Sequence, residues 1–386
     1  MNICLIETPE HQTALRKSAA AFGNFCSMSE HQGVDVSYFR PDVGEIRRPS
    51  ENVARAERHR LLDIDRAKGL AILLVVFGHI VARQPPLGND WYMKLQGAIY
   101  VFHMPFFMYL SGVVFGYGGN ATQAQAGFGG YLAKRAERLL IPFVAIGLAV
   151  LIGKMVASHF LFVDNNPESL LGGLKALVWN TDRSPATSIW FIFVLFCYCA
   201  LTPVALRLTR NLLWPVLLFS IGLYFVDGPP LVYLDRITFF YGFFVAGILV
   251  GQNFPAMSAL IDRTYPIFCA LFAASLALVL LDKYSEVAAA CGGFFALPAL
   301  HGLVRSNILN GSKTLLWLGQ MPFAIYLFNT LFIGLAKGVL LAGLSSWDGR
   351  NFLIFCPALM AAGLFGPIIL KLAALDRVPM LRKLTD

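Results

Sequence analysis

Ten long apolar runs follow one another along the chain from Leu61 onward, and short polar segments separate them. Apolarity within each run is continuous rather than alternating, which predicts helices and excludes an outer-membrane barrel. Several runs are shorter than the roughly 20 residues that a helix needs to cross the hydrocarbon. The pattern predicts an all-α fold, a polytopic transmembrane helix bundle of about ten spans. The runs are 62–82, 97–117, 139–160, 187–206, 211–226, 236–252, 264–281, 285–304, 315–337 and 351–373.

The composition of the chain indicates that the predicted helices lie in a membrane. Of the 386 residues, 57% are hydrophobic and 14% are charged, and 32 are Phe. A soluble domain carries about 25% charged residues, so no soluble core of this length would hide so much apolar surface. We therefore expect the lipid bilayer to be a partner of this chain, which would be a multi-pass membrane protein.

The basic residues lie between the apolar runs instead of forming one basic domain, so the net charge of +8 does not indicate nucleic acid. Lys and Arg are concentrated before the first run and in alternate loops, and the opposite loops carry fewer. By the positive-inside rule this predicts an even number of spans with both termini in the cytoplasm. The residues predicted to be cytoplasmic include Lys134, Arg135, Arg138, Arg207, Arg210, Arg263, Arg305, Lys313 and Lys371.

Three segments are expected. Residues 1–60 are polar, end in a basic stretch and lack the apolar core of a secretory signal, so they are interpreted as a poorly ordered tail. Residues 61–375 would form the membrane domain, and 376–386 a short basic cytoplasmic tail. The cysteines lie mostly inside apolar runs, and no neighbouring His or acidic residue completes a zinc-like set around Cys197 and Cys199. No metal site is predicted.

The first run carries two polar residues on one helical face. Lys68 and His79 are eleven residues apart, which is about three helical turns and about 16 Å along the axis. With the N-terminus inside, Lys68 lies near the cytoplasmic edge, where Asp65 can pair with it, and His79 lies in the outer half of the membrane. The alternatives are a snorkelling anchor for Lys68 and an interfacial capping histidine for His79. Their shared face favours a functional interpretation.

The second run brings another histidine to a similar depth. His103 enters this span from the outside, Pro105 removes one backbone hydrogen bond, and Ser111 with Gly112 permits close helix packing. A structural histidine bound to a neighbouring helix is the alternative interpretation of His103. Two imidazoles at one depth favour proton transfer, because histidine titrates near neutral pH.

These segments resemble the acyltransferase 3 family of bacterial membrane O-acyltransferases, particularly its fucose 4-O-acetylase-like branch. The match begins with a basic residue, ten residues and then His79, with Lys68 where many members have arginine, and continues through 102–112. Weaker likenesses are 135–142, 188–191 and 241–251, so that the resemblance covers about 61–373. Relatives often carry histidine where this chain has Asn329, which can still donate a hydrogen bond but cannot act as a base.

The resemblance implies transfer of an acyl group, usually acetyl, from acyl-CoA to a sugar hydroxyl of a cell-surface or exported polysaccharide. No permanently bound cofactor is expected; acetyl-CoA or another acyl-CoA would be the donor substrate and a glycan the acceptor. The location implied is the bacterial cytoplasmic (inner) membrane.

The same resemblance assigns roles on the cytoplasmic side, where Lys68, Arg135 and Arg138 would bind the phosphates of CoA. Plain positive-inside topology is the alternative for Arg135 and Arg138.

On the other side, His79 would act as general base on the acceptor hydroxyl or carry the acyl group transiently. His103 would orient it, or bind the oxyanion or the acceptor. Trp190 would stack on a sugar ring, unless it is an aromatic-belt residue, and Asn329 would contact substrate.

The rival function is a proton-coupled transporter or glycan exporter, in which Lys68, His79 and His103 line a proton or substrate path. Internal repeats and Gly/Pro-broken helices in matching halves would favour it. The sequence shows no convincing repeat of that kind.

Overall fold

The computed structural model describes residues 61–81, 85–158, 167, 169–281, 285–344, 346–382 and 384–385. The predicted tail, residues 1–60, lies outside the described residues, as do three loop and tail charges, Arg83, Lys283 and Lys383. Within the described ranges the chain is helical and contains no strand, which confirms the all-α prediction. The α-helices are α1 Leu62–His79, α2 Asp90–Tyr117, α3 Asn120–Ala126, α4 Phe128–Ala157, α5 Leu170–Val178, α6 Trp190–Leu208, α7 Leu213–Leu223, α8 Leu234–Gln252, α9 Phe254–Leu280, α10 Ser285–Arg305, α11 Lys313–Leu318, α12 Pro322–Gly343, α13 Phe352–Ala373 and α14 Pro379–Arg382.

Eight of these helices are long and apolar enough to cross a membrane, among the residues that the structure describes: α2, α4, α6, α8, α9, α10, α12 and α13. The other two predicted runs form shorter or more polar helices. Helix α1 has 18 residues and carries Asp63, Asp65, Arg66 and Lys68 in its first two turns, and α7 has 11 residues. The chain is therefore a multi-pass helical membrane protein in which α1 and α7 are unusual.

The predicted run 315–337 is divided between two helices. Ser312 accepts a hydrogen bond from the Leu315 N–H and begins α11, and Pro322 occupies the first turn of α12, a position that tolerates proline because its missing N–H has no partner there. Between them Gly319 lies against α1: a Cβ there would be 1.7 Å from the Asp65 carbonyl oxygen. The break therefore lets α11 pack against the start of α1.

Helix α1 is surrounded by protein. It packs against α2, α10, α11, α12 and α13, and Ala67, Ala71, Ile72 and Val75 on it are fully buried. Asp63 and His79 on this helix therefore face other helices instead of lipid, which is the arrangement that polar groups at membrane depth require.

Helices α2 and α8 pack closely through glycine, as predicted for Gly112. A Cβ on Gly112 would lie 2.0 Å from the Phe244 carbonyl oxygen, and one on Gly247 would lie 2.0 Å from the Tyr109 carbonyl oxygen. Gly251 farther along α8 meets Val113 farther along α2, so the two helices run parallel. This contact therefore determines which residues of α2 lie level with which residues of α8.

A charged cluster joins the start of α1 to α9 and α10. The Arg305 guanidinium binds the Asp63 carboxylate and also the Asp262 carboxylate, at 2.7 Å from Nε. The buried His301 ring lies beside it, 3.6 Å from Asp63 and 2.7 Å from the Tyr109 hydroxyl of α2. Four helices are therefore fixed at one end of the bundle.

A second clasp lies at the other end, which we call the α1–α2 end because α1 ends and α2 begins there. The Leu87 N–H donates to the Asp348 carboxylate at 2.8 Å, and the Asn89 amide donates to the Gly349 carbonyl at 3.1 Å. A hydrogen bond from Ser346 lowers the pKa of the Asp348 carboxyl. The α1–α2 and α12–α13 connections are thus held together.

Candidate active site

His79 is the last residue of α1, and its ring is held by α12. The Nδ1 atom of His79 lies 2.7 Å from Oδ1 of Asn329, which is fully buried. The Asn329 amide nitrogen donates to the carbonyls of Ile325 and Tyr326, at 2.9 and 2.8 Å. Carbonyl oxygens only accept, so the atom facing His79 is the amide oxygen.

This pattern fixes the tautomer of His79. Since the Asn329 oxygen is an acceptor, Nδ1 of His79 must carry the proton, and neutral His79 keeps its lone pair on Nε2. A histidine whose Nδ1–H is held and whose Nε2 is basic has the arrangement that general-base chemistry requires. Asn329 therefore has an internal role, orienting His79, and its predicted contact with substrate stays a prediction.

The end of α1 is capped by a ladder of polar side chains on α2. The Tyr92 hydroxyl donates to the Phe77 carbonyl at 2.5 Å, and the Gln96 amide donates to the Gly78 and Val81 carbonyls at 2.6 and 2.8 Å. The Tyr100 hydroxyl also donates to Gly78, at 2.8 Å. These bonds satisfy carbonyls that a helix end would otherwise leave bare at membrane depth. Helix α1 can therefore stop at His79 inside the bundle.

His103 lies one turn beyond this ladder on the same helix. It is 6% exposed, its Nδ1 lies 2.9 Å from the Ile99 carbonyl oxygen, and its ring packs on Tyr100 with centroids 5.0 Å apart. A carbonyl can only accept, so Nδ1 of His103 donates and Nε2 again carries the lone pair. It is linked to His79 through Tyr100, whose hydroxyl donates to the carbonyl of Gly78, the residue before His79. In its neutral form His103 can accept from a hydroxyl but cannot donate to an oxyanion.

A second group of residues joins the site from α6, α8 and α12. The Tyr326 hydroxyl, one turn before Asn329, donates to the Ser188 carbonyl and accepts from the Phe191 N–H at 3.2 Å. Next to them the Trp190 ring stacks on Phe240, with centroids 5.0 Å apart, and the Arg236 guanidinium lies 4.7 Å from its centroid. The Trp190 ring is thus already engaged by protein groups, and its stacking on a sugar stays a prediction.

The predicted CoA-binding residues lie on different helices. The Lys68 ammonium is 3.5 Å from the Asp65 carboxylate, which confirms the predicted pair. Arg135 on α4 donates to the Asn120 side chain of α3 and lies 5.3 Å from the Tyr131 ring centroid, and Arg138 on the same helix is exposed. The structure brings together His79, His103 and Asn329. Lys68, Arg135 and Arg138 lie on two different helices and have different neighbours.

Sequence reasoning missed Gln96, Tyr100 and Arg236. The spacing of Tyr92, Gln96 and Tyr100 at four-residue intervals was a usable signal, because such residues share one face of a helix. Arg236 carried no such signal. In the sequence it is only one of the few basic residues that lie opposite the predicted cytoplasmic loops.

The fold and the site together define a multi-pass helical membrane protein with a partly buried histidine, His79, and a buried one, His103. A family model described as an acyltransferase domain matches residues 61–372, and the chain belongs to this family, acyltransferase 3. The predicted resemblance is confirmed, and the matched range includes both histidines.

Two curated relatives are called nodulation protein NolL. The one from Sinorhizobium fredii is 28% identical over 198 residues, which are 50% of this chain and 50% of the relative. The one from Mesorhizobium japonicum is 27% identical over 215 residues, 55% of this chain and 54% of the relative. The chain thus spans about half the length of the curated relatives it matches. No solved structure matches it significantly.

Proposed function

We propose that this chain transfers an acyl group, acetyl in the first instance, from acyl-CoA to a hydroxyl group of a glycan. The observation that carries the proposal is the His79–Asn329 pair, which presents a basic Nε2 inside the bundle of an acyltransferase-family chain. His103 supports the proposal, because the lone pair on its Nε2 can accept a hydrogen bond from a substrate hydroxyl.

The chemistry follows from these proton positions. His79 Nε2 removes the proton of the acceptor hydroxyl while the hydroxyl oxygen attacks the thioester carbonyl. The tetrahedral intermediate collapses, the C–S bond breaks, and the thiolate of CoA takes the proton back from the His79 imidazolium. The products are an ester and free CoA. The Asn329 oxygen stabilises the imidazolium by accepting from Nδ1–H throughout.

The donor would approach from the side on which α1 begins. Lys68 has 26% of its side chain exposed, and it precedes His79 by about 16 Å along α1. This spacing leaves room for the pantetheine arm between a phosphate group near Lys68 and a thioester near His79. Arg135 and Arg138 would add positive potential on the same side. We further propose that this side is the cytoplasm and that the membrane is the bacterial inner membrane.

The test is acyl transfer in membranes that contain the chain. Membranes are incubated with radiolabelled acetyl-CoA and oligosaccharides released from the producing cell's surface polysaccharide after mild alkali has removed their esters. We expect labelled ester in the wild type and a fall of at least about 100-fold in His79→Ala, the lower range for a lost general base. Asn253→Ala, an exposed position outside the site, is the control.

Full activity in a folded His79→Ala protein would overturn the assignment of the base. Glycan movement across vesicles without any ester formation would favour the transporter function instead.

A further inference from the structure

A polar recess lies between the end of α7 and the start of α8. Its volume is about 310 Å³, and its lining includes Tyr224, Asp227, Asp235, Arg236, Phe239 and Phe240. We call it the Arg236 recess. It connects to the His79 site through Trp190, which contacts Arg236 and Phe240 and follows Ser188, the partner of Tyr326.

Two polar atoms of the recess are buried and have no hydrogen-bond partner within the described part of the chain: Nη1 of Arg236 and Oδ1 of Asp235. The second oxygen of Asp235 lies 3.8 Å from Arg236 Nε, so the two side chains face each other loosely. A buried donor and a buried acceptor without partners cost free energy unless something else binds them. A ligand with hydroxyl groups would satisfy both, since a hydroxyl both donates and accepts.

The depth of the recess supports the same conclusion. Gly247 meets Tyr109, and Arg236 comes eleven residues earlier on the parallel helix, so it lies level with about residue 98 of α2, roughly 12 Å below Asp90. The apolar runs 97–117 and 236–252 begin at this level, so the Arg236 recess opens at the edge of the predicted spans, about 8 Å along α2 from His103. Non-helical backbone such as 224–233 needs water or polar partners, which this level supplies, and the recess is therefore a wet pocket.

Aromatic rings form much of the lining. Tyr224 packs against Phe239 with ring centroids 4.5 Å apart and ring planes tilted by 31°, and Phe239 lies edge-on to Phe240. Fixed aromatic rings beside a few polar groups suit ligands with both apolar and polar surface. The two carboxylates of Asp227 and Asp235 outweigh the single guanidinium of Arg236, so the electrostatics disfavour an anion.

We propose that the Arg236 recess binds a neutral sugar unit of the acceptor glycan, next to the unit that is acylated. Arg236 and Asp235 bind its hydroxyls, and the faces of the aromatic rings contact its C–H groups. Trp190 positions the guanidinium of Arg236 by stacking. This inference rests on the proposed function and adds to it the class of acceptor.

Binding is measured first, in His79→Ala protein purified in detergent, so that no turnover occurs. The probes are the de-esterified oligosaccharides described above, separated into a neutral and a uronate-containing fraction, with isothermal titration as the readout. We expect the neutral fraction to bind and Arg236→Gln or Phe239→Ala to weaken it by about tenfold or more, the effect of losing a bond to a charged group. Exposed Arg350→Gln and Phe219→Ala are the matched controls.

Turnover then separates this inference from the proposed function. In protein that retains His79, Arg236→Gln should raise the acceptor KM about tenfold and leave the acyl-CoA KM unchanged. Equal binding by Arg236→Gln and Arg350→Gln, a preference for the uronate fraction, or no binding at all would overturn the sugar site. Arg236-dependent binding without any ester formation in the wild type would retain the recess and overturn the acyl transfer.

Discussion

The proton on His79 is fixed by a residue that never needs to touch substrate. Asn329 uses both amide hydrogens on its own helix, so only its oxygen remains for His79. A leucine at the same place would leave Nδ1–H of His79 without this acceptor. In the proposed mechanism Asn329 is therefore a positioning residue for His79.

Asn329→Ala should lower kcat by about 100-fold, the lower range for impaired general-base catalysis, and change the acceptor KM little. Asn329→Asp should recover part of that loss, because a carboxylate oxygen also accepts from Nδ1–H. The measurement is steady-state acyl transfer at several acceptor concentrations, with Asn253→Ala as control. A rise in KM with unchanged kcat would instead return Asn329 to the role of a substrate contact.

Some residues of the site could be predicted from the sequence and others could not. Lys68 and His79 were placed on one face by helical periodicity alone, and the Asp65–Lys68 pair followed from its three-residue spacing. Arg236 could not be placed, because its importance depends on the register between α2 and α8, which two glycines from distant parts of the chain determine.

At the scale of elements, α1 is the helix on which the site depends. It ends inside the bundle, and the exposed carbonyls at its end are satisfied by Tyr92, Gln96 and Tyr100 from α2. An amphipathic helix in water would leave that task to solvent. Helix α1 can therefore be short for a membrane span, because polar side chains of α2 bind the carbonyls at its end.

Gln96→Leu should destabilise the protein by about 1–3 kcal/mol, because it leaves the Val81 carbonyl without this donor and the Gly78 carbonyl with Tyr100 alone. The measurement is thermal unfolding of purified protein in detergent, with exposed Gln252→Leu as the control. Unchanged stability would show that water or another group satisfies these carbonyls.

Gly247→Val should be more damaging, because the added carbons would meet the Tyr109 carbonyl across the α2–α8 contact. Overpacking of this kind costs about 1–3 kcal/mol or more. Gly97→Val on α2 is the matched control, since a Cβ there meets nothing within 4 Å. Comparable melting temperatures for the two variants would contradict the close packing.

Element boundaries were predicted less well than element existence. The run 315–337 is largely apolar, and it is divided into two helices by the contact of Gly319 with α1 and by Pro322, which begins α12. Likewise 211–226 is apolar enough for a span, yet α7 has 11 residues, and Tyr224, Val226, Asp227 and Gly228 after it line the Arg236 recess. Hydrophobicity indicates which segments are covered by lipid or protein. It does not indicate where a helix ends within such a segment.

At the scale of the whole molecule, the two ends of the bundle differ in charge and in structure. One end carries the cluster of Asp63, Asp262, His301 and Arg305, close to Lys68. The α1–α2 end carries the clasp of Leu87, Asn89 and Asp348. Loop charge predicts that the N-terminus is inside, which puts the charged end in the cytoplasm. In the proposed function His79 then lies between an acyl-CoA thioester on that side and a glycan at the α1–α2 end.

That orientation is testable by labelling cysteines introduced at exposed positions of the two ends. Leu171→Cys, after α4, and Ile308→Cys, between α10 and α11, stand on side chains that are 79% and 73% exposed. In intact spheroplasts we expect a membrane-impermeant maleimide to label Leu171→Cys above the background of the native cysteines, and to label Ile308→Cys only after lysis, because loops rich in Lys and Arg stay in the cytoplasm. The reverse pattern would invert the topology, and with it the path from acyl-CoA to the glycan. Labelling of both from outside would contradict the parallel α2–α8 contact, since α8 runs parallel to α2 only if α7 completes a crossing.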